Sequence, residues 1–350
     1  MRGVRGESQI RGSNYGGIEM QMHRHKISRR NLVVFALAAA FVLCLAWNDR
    51  ASSEVINIGW TGEYWSTLPF RVAADKGFFE REGLQVRLIT MRTSLITPAL
   101  MQGDLDYTAA LPSISGPALH GLPVKFVGII SKGTGYAIVS KPEIESVQGL
   151  RGRKFGINSF GASDDYTVYT FLSKSGLDPI RDVTFLNIGG TSARFAALTA
   201  GAVDAAAVSS PFDYKAEQSG LRILVPFKET AEHVKLSNAG LAATQEKMAK
   251  DGGQIVRALR ALRAATLFIR EQPAASVDLL AKTLHLSRAL ADRLYPVYRD
   301  QYNPELTVPD SVLEEYKGVA SFRLKDKEKI KELPKIQVLR DWSFAEKAKQ

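Results

Sequence analysis

Residues 93–110, TSLITPALMQGDLDYTAA, return 98 positions later as residues 191–208, TSARFAALTAGAVDAAAV. Seven of the eighteen positions match: Thr93/Thr191, Ser94/Ser192, Ala99/Ala197, Leu100/Leu198, Gly103/Gly201, Asp106/Asp204 and Ala109/Ala207. Solenoid repeats run about 20–50 residues, so a period of this length duplicates a whole lobe. Each copy reads as a Thr-Ser helix start, a helix, a glycine stop, an Asp turn and a strand. Two lobes on one plan meet at a cleft, and clefts between lobes are where small ligands bind.

The segments flanking the first copy extend the plan. Residues 56–60 (INIGW) alternate and are β-branched, which predicts a strand. Pro69 suits the first turn of a helix that Gly77 would stop. Strands are expected over 84–89, 106–111 and 124–130, giving β-α-β-α-β and a mostly parallel sheet covered by helices. The plan restarts at residue 154 (KFGIN) with a helix over 163–175, strands over 183–187 and 203–208, and a last strand over 221–227. The second lobe therefore reads as an insertion, 141–230, within a first lobe made of 54–140 and 231–350. Hinges are expected near 136–142 and 229–240. Helices over 253–271, 274–284 and 288–299 are expected to pack back on the first lobe.

Gly103, Gly201, Asp106 and Asp204 have a local explanation, since positive φ ends a helix and Asp opens the tight turn into the next strand. Ligands of parallel α/β sheets instead sit beyond the carboxyl ends of the strands. Four loops qualify: 60–66, 111–115, 158–163 and 209–214. Their hydroxyls and flat aromatic rings suit a small solute. The candidate ligand-binding residues are Trp60, Tyr64, Trp65, Ser113, Ser159, Ser163, Arg194 and Ser209. Three large aromatics in one seven-residue loop, 60–66, are expected to wall a cavity.

The 350 residues allow about two domains. Residues 22–30 (MHRHKISRR) are basic and 32–47 are sixteen apolar residues, fewer than the roughly 20 that span a bilayer. With Ala51, Ser52 and Ser53 this reads as an export signal over 1–53. Ser28-Arg29-Arg30 adds a twin-arginine character. An uncleaved segment acting as a membrane tether is the competing reading. The leader holds eight Lys/Arg and three Asp/Glu, so the chain's net +10 leaves +5 for the remainder. A surplus that small, without clustering on one face, is no nucleic-acid footprint. The single cysteine, Cys44, lies in the leader, so the remainder has no disulfide and no thiolate chemistry. His23 and His25 fall in the leader, His120 precedes Gly121 in a loop, His233 and His285 lie far apart with no carboxylate at ligand spacing, and no phosphate-loop, GxSxG or HExxH pattern occurs. No cofactor and no metal ion is expected, and no enzyme activity.

Several ordered stretches resemble one family: 60–89 (WTGEYWSTLPFRVAADKGFFEREGLQVRLI), 99–113 (ALMQGDLDYTAALPS), 149–157 (GLRGRKFGI), 197–211 (ALTAGAVDAAAVSSP) and the ending Asp341-Trp342-Ser343-Phe344-Ala345. The resemblance is to periplasmic solute-binding proteins of ABC importers, in the nitrate/sulfonate/taurine and thiamine-precursor group. It covers roughly 55–345, and its most recognisable phrase is AADKGFFEREGL at 73–84. It implies an α/β, two-lobed venus-flytrap fold with two inter-lobe crossings. It also implies a small-molecule solute, a periplasmic location, a membrane permease and ATPase as partners, and a monomer.

The solute class is read from charge. An oxyanion site should gather helix N-termini and guanidinium groups. Here Asp164-Asp165 follow Ser163, Glu63 lies in the aromatic loop, Asp213 follows the second repeat, and Arg194 is the one well-placed cation. A neutral or cationic heterocycle, such as a thiamine-precursor pyrimidine, is therefore expected, with a sulfonate- or nitrate-type oxyanion as the alternative. A sensory binding module, or an enzyme related to the thiamine-pyrimidine synthases, are the rival classes. Those synthases carry a cysteine-rich motif that the chain beyond the leader lacks.

Overall fold

The structure is a computed structural model that describes residues 53–321 and 334–350. All of the expected leader except Ser53 lies outside the described residues, as does most of the basic stretch 325–335. Among the described residues ten strands form two sheets. They are β1 (Glu54–Trp60), β2 (Leu84–Thr90), β3 (Tyr107–Ala110), β4 (Val124–Ile129), β5 (Tyr136–Ser140), β6 (Lys154–Ile157), β7 (Thr184–Asn187), β8 (Ala205–Ser209), β9 (Arg222–Val225) and β10 (Ala239–Thr244).

The first sheet runs β2-β1-β3-β10-β4 and the second β7-β6-β8-β5-β9. The duplicated stretch predicts this equivalence. In each sheet three strands are parallel, β1 with β2 and β3, β6 with β7 and β8. In each, the fourth strand runs antiparallel to both neighbours: β10 between β3 and β4, β5 between β8 and β9. That antiparallel strand is the one the chain delivers as it crosses between lobes.

This corrects one expected boundary. The sequence places Tyr136–Ser140 at the end of the first lobe and in a hinge, but it is an internal strand of the second sheet. A strand hydrogen-bonded on both sides cannot act as a hinge. The crossings instead fall at 130–135 and 234–238, either side of β5 and of the helix Phe227–His233 packed against it.

The repeated residues do the same work twice. Gly103 and Gly201 take φ of 82° and 75° just past their helices, where a side chain would be strained. Asp106 accepts the Asn57 backbone N–H at 2.8 Å and pairs with Lys247 Nζ at 2.8 Å. Asp204 accepts the Lys154 N–H at 2.9 Å and pairs with Lys141 Nζ at 2.8 Å. Each Asp thus ties its own strand to the start of the lobe and to a lysine just beyond the antiparallel strand.

The long helix Gly252–Glu271 and the helices Pro273–Leu284 and Arg288–Arg299 pack on the first lobe, as expected. Ile255, Leu259, Leu262 and Ile269 share one buried cluster with Ile56, Ile58, Val277 and Leu294. Each such side chain, fully buried, favours the fold by about 1.5–3 kcal/mol before entropy is counted. The helix Asp310–Ser321 packs on the helix Leu111–Leu119. Tyr166, from the second-lobe helix Ser163–Lys174, is buried within the first lobe's second cluster beside Tyr316 and Val234.

A candidate ligand-binding cleft between the lobes

A cavity of about 1170 Å³ lies between the lobes, and all eight residues singled out from the sequence line it. Trp60 ends β1, Trp65 sits in the 3₁₀ turn Trp65–Thr67, and Ser113 lies in the first turn of the helix Leu111–Leu119. Across the gap, Ser159 follows β6, Ser163 opens its helix, Arg194 lies in the first turn of Thr191–Thr199, and Ser209 ends β8. The strands stop there because helices begin, so strand ends and helix starts from both lobes converge.

Two of the four segments taken as loops are largely helical. Leu111–Leu119 forms a helix despite Gly116 and Pro117. Pro112 sits near its start, where a missing N–H is harmless, and Ser113 Oγ donates back to Ala110 O at 2.6 Å. Phe212–Gln218 is likewise a helix, which leaves only its first residues near the strand end.

The two tryptophans are wall rather than free contact surface. Trp65 is 1% exposed, stacked on Tyr298 at 5.4 Å between centroids and edge-on to Phe227 at 5.8 Å. Tyr302 donates its hydroxyl to the Trp65 carbonyl at 2.7 Å. Gly135, at φ 74°, lies against the indole so closely that any β-carbon there would strike the ring. Trp60 is buried too, its indole N–H donating to Thr90 Oγ1 at 2.8 Å. Tyr64 is only half-buried and presents the loop's accessible ring. Burial pushes its phenol pKa up, the nearby Arg194 charge lowers it and Asp164 raises it, so its net direction is upward. That coupling reaches across the cleft.

Arg194 is the electrostatic centre of the second lobe's wall, and it is 2% exposed. Its Nε donates to Ala207 O at 2.6 Å, Nη1 to Gly189 O at 2.6 Å, and Nη2 to Thr191 Oγ1 at 3.0 Å. Nη1 also lies 3.4 Å from Asp164 Oδ2. A guanidinium has five N–H groups; three of them donate in these bonds, and Asp164 offsets the charge without a hydrogen bond. Thr191 Oγ1, accepting from Arg194, stands 3.0 Å from Ser209 Oγ. Either hydroxyl can donate in that contact, so Ser209 Oγ can offer the cavity a proton or a lone pair. Ser163 Oγ meets the Tyr136 hydroxyl at 3.0 Å. Burial, first, and then the charge of Asp164 hold that phenol well above its ordinary range, so it stays protonated.

Asp164 is fully buried (0% exposed). Besides Arg194, it accepts the Asn158 N–H at 2.6 Å, while Asp165 accepts the Gly161 N–H at 2.8 Å. The two carboxylates therefore engage N–H groups of the preceding loop that an anion could otherwise use. Of the other acidic residues weighed from sequence, Glu63 pairs with Arg71, and Asp213 is buried beside Ser210. Neither lines this cavity.

Sequence reasoning missed Tyr136, Thr191 and Arg92 on the lining. Thr191 stood in the repeated stretch and could have been found there. Tyr136 was hidden by the misplaced lobe boundary. Among the described residues no group of three His, Cys, Asp or Glu could hold a metal ion, and no helix is long and apolar enough to cross a membrane.

Residues 66–276 match the family model described as NMT1/THI5 like, and the chain belongs to that family. A candidate binding protein of Brucella abortus (strain 2308) is 25% identical over 270 residues, 75% of this chain and 81% of the relative. A Haemophilus influenzae protein assigned to thiamine biosynthesis is 31% identical over 121 residues, 33% of this chain and 38% of its own. Among solved structures, the periplasmic aliphatic sulphonate binding protein SsuA of Escherichia coli superposes with a TM-score of 0.66 at 20% identity, covering 85% of this chain and 99% of that one. The shared property there is the periplasmic-binding-protein fold.

Proposed function

We propose that this chain is the extracytoplasmic solute-binding component of an ABC-type importer, capturing one small organic solute by closing its two lobes. It would be exported, work as a monomer, and hand the solute to a membrane permease driven by an ATPase. The family and the fold support the class, because the Brucella relative and the Escherichia coli structure are both binding proteins. In this reading the first lobe comprises 54–134 with 234–350, the second 135–233, and the crossings at 130–135 and 234–238 are the hinges.

The solute class we infer is a neutral or cationic heterocycle with a hydrogen-bond acceptor, of which a thiamine-precursor pyrimidine is one example. The observation that carries this is the state of Arg194: its charge is offset by Asp164 and three of its five N–H groups are hydrogen-bonded to the protein. On that wall the cleft therefore presents a charge-paired guanidinium beside the hydroxyls of Ser209 and Ser163 and the ring of Tyr64. That set suits a flat ring with a nitrogen or carbonyl acceptor and not a bidentate oxyanion. Ser113 and Ser159 complete the proposed contacts, with Trp60 and Trp65 behind them.

An oxyanion of the sulfonate or nitrate kind is the second reading, and one feature favours it. Arg92, Thr93 and Ser94 line the cavity at the start of the ten-residue helix Thr93–Gln102, which has no acidic residue in its first turn. A thermal-shift screen separates the two, because a ligand that binds only the folded state raises the melting temperature. Pyrimidines and thiamine precursors should raise it, while sulfonates, taurine and nitrate should not. The opposite pattern would sink the heterocycle reading. Chemical conversion of the bound compound, followed by mass spectrometry, would replace a binding protein with an enzyme. A partner kinase or cyclase in place of a permease would make it a sensor.

A further inference from the structure

We propose that Asp164 is the residue that excludes anions from this cleft, acting as a built-in counter-ion that holds the Arg194 guanidinium neutralised. This rests on the solute class proposed above and names the side chain that sets it. Asp164 lies one residue into the helix Ser163–Lys174, whose N-terminus would otherwise attract an anion. Its carboxylate is buried, 3.4 Å from Arg194 Nη1, and accepts the Asn158 N–H at 2.6 Å. Its Oδ1 has no hydrogen-bond partner among the described residues. A buried carboxylate with one oxygen unbonded is poorly satisfied as a structural device, because an isolated salt bridge between fully buried groups is seldom a net gain over apolar packing. What it does accomplish is local: two opposite charges cancel beside the lining, and the loop N–H of Asn158 turns away from the ligand.

Asp165 and Ser163 act alongside without replacing it. Asp165 takes the Gly161 N–H, and Ser163 faces the Tyr136 hydroxyl. Removing the Asp164 charge alone should therefore leave a buried, uncompensated guanidinium beside a helix N-terminus, while an Asn amide oxygen can still accept the Asn158 N–H. Guanidinium and helix N-terminus together are the elements of an anion site.

The test compares wild type, Asp164→Asn and the double variant Asp164→Asn with Arg194→Gln, each melted with sodium methanesulfonate or sodium nitrate over a concentration series. Wild type should not respond. Asp164→Asn should melt lower without anion and rise with it, with affinity improved at least about tenfold. The double variant should lose the response, since the buried guanidinium that Asp164 pairs with is gone while Arg92 is unchanged. A folded Asp164→Asn protein that ignores both anions overturns the inference, and so does a double variant that still responds.

Should Asp164→Asn be recovered folded only in the presence of methanesulfonate, the unpaired guanidinium is the cause and the inference stands. Should it not fold even then, Arg194→Gln reads the same pair from the other side. That variant leaves the carboxylate uncompensated and should bind benzamidinium at least about tenfold better than wild type; no gain overturns the inference. Failure of the solute class is a separate result. It would be a wild-type protein stabilised by no heterocycle, even while Asp164→Asn gains its anion.

Discussion

Trp65 and Ser209 show how differently two residues on one cavity wall can behave. Both line the cleft, but Trp65 holds the aromatic cluster of Tyr298, Tyr302 and Phe227 together, whereas Ser209 ends a strand with its hydroxyl at the surface of the gap. From the sequence, Trp65→Ala should weaken solute binding without a matching loss of thermal stability; its burial reverses that expectation. Trp65→Ala should cost about 3–5 kcal/mol of folding stability, as large aromatic deletions in cores do, read as a lower urea midpoint at unchanged slope. Near-wild-type stability would return Trp65 to the ligand surface. Ser209→Ala, which removes the buried contact to Thr191, should lower folding stability by about 0.5–1.5 kcal/mol, well below the Trp65 loss. It should weaken solute binding about 2–10-fold, the worth of one hydrogen bond, measured by calorimetry.

At the scale of elements, each lobe depends on an Asp that pins two strands and a lysine. Burial alone would raise the Asp204 pKa. The bonds from Lys141 and the Lys154 N–H outweigh it, and the carboxyl sits below its ordinary 3.8. A group whose folded pKa is depressed contributes stability that is full above its unfolded pKa and fades as pH falls through the folded value. The stability gap between wild type and Asp204→Asn should therefore be constant from about pH 5 to 8 and shrink below about pH 4. A gap that persists unchanged at pH 2 would mean that neutral hydrogen bonds, and not the charge, do the pinning. Most elements were legible beforehand, because caps, glycine stops and β-branched runs act locally. The helix Leu111–Leu119 was not, since Pro112, Gly116 and Pro117 suggest a loop; tertiary packing of Ile114, Ala118 and Leu119 overrides them.

The whole molecule holds its lobes through more than the two crossings. Tyr166 of the second lobe donates to Glu315 at 2.6 Å and is buried in the first lobe's cluster, while Tyr316 on the same helix donates to the Ser237 carbonyl in the crossing. The helix Asp310–Ser321 thus braces the hinge from behind. Under the proposed closure, ligand must favour one lobe arrangement over the other, or no movement follows. Bound solute should lower the radius of gyration in solution X-ray scattering. Tyr166→Phe, which loses the bond to Glu315, should change the solute dissociation rate several-fold without altering any group that lines the cleft. An unchanged rate in stopped-flow measurements would make the brace a passive contact.

The chain's own text determined that there are two lobes of one plan, that Trp60, Tyr64, Trp65, Ser113, Ser159, Ser163, Arg194 and Ser209 meet at one cleft, and that the repeated Gly and Asp are structural. Those features are written in local residue chemistry and in a period that any reading of the sequence can find. Tertiary structure alone decided which lobe owns Tyr136–Ser140, because strand pairing joins residues about 70 apart. It also decided that Trp60 and Trp65 are buried, and that Arg194 has a partner in Asp164, thirty residues away, lying 3.4 Å from it. Charge in a cleft is a property of which groups meet, and the order of residues along the chain does not say which ones do.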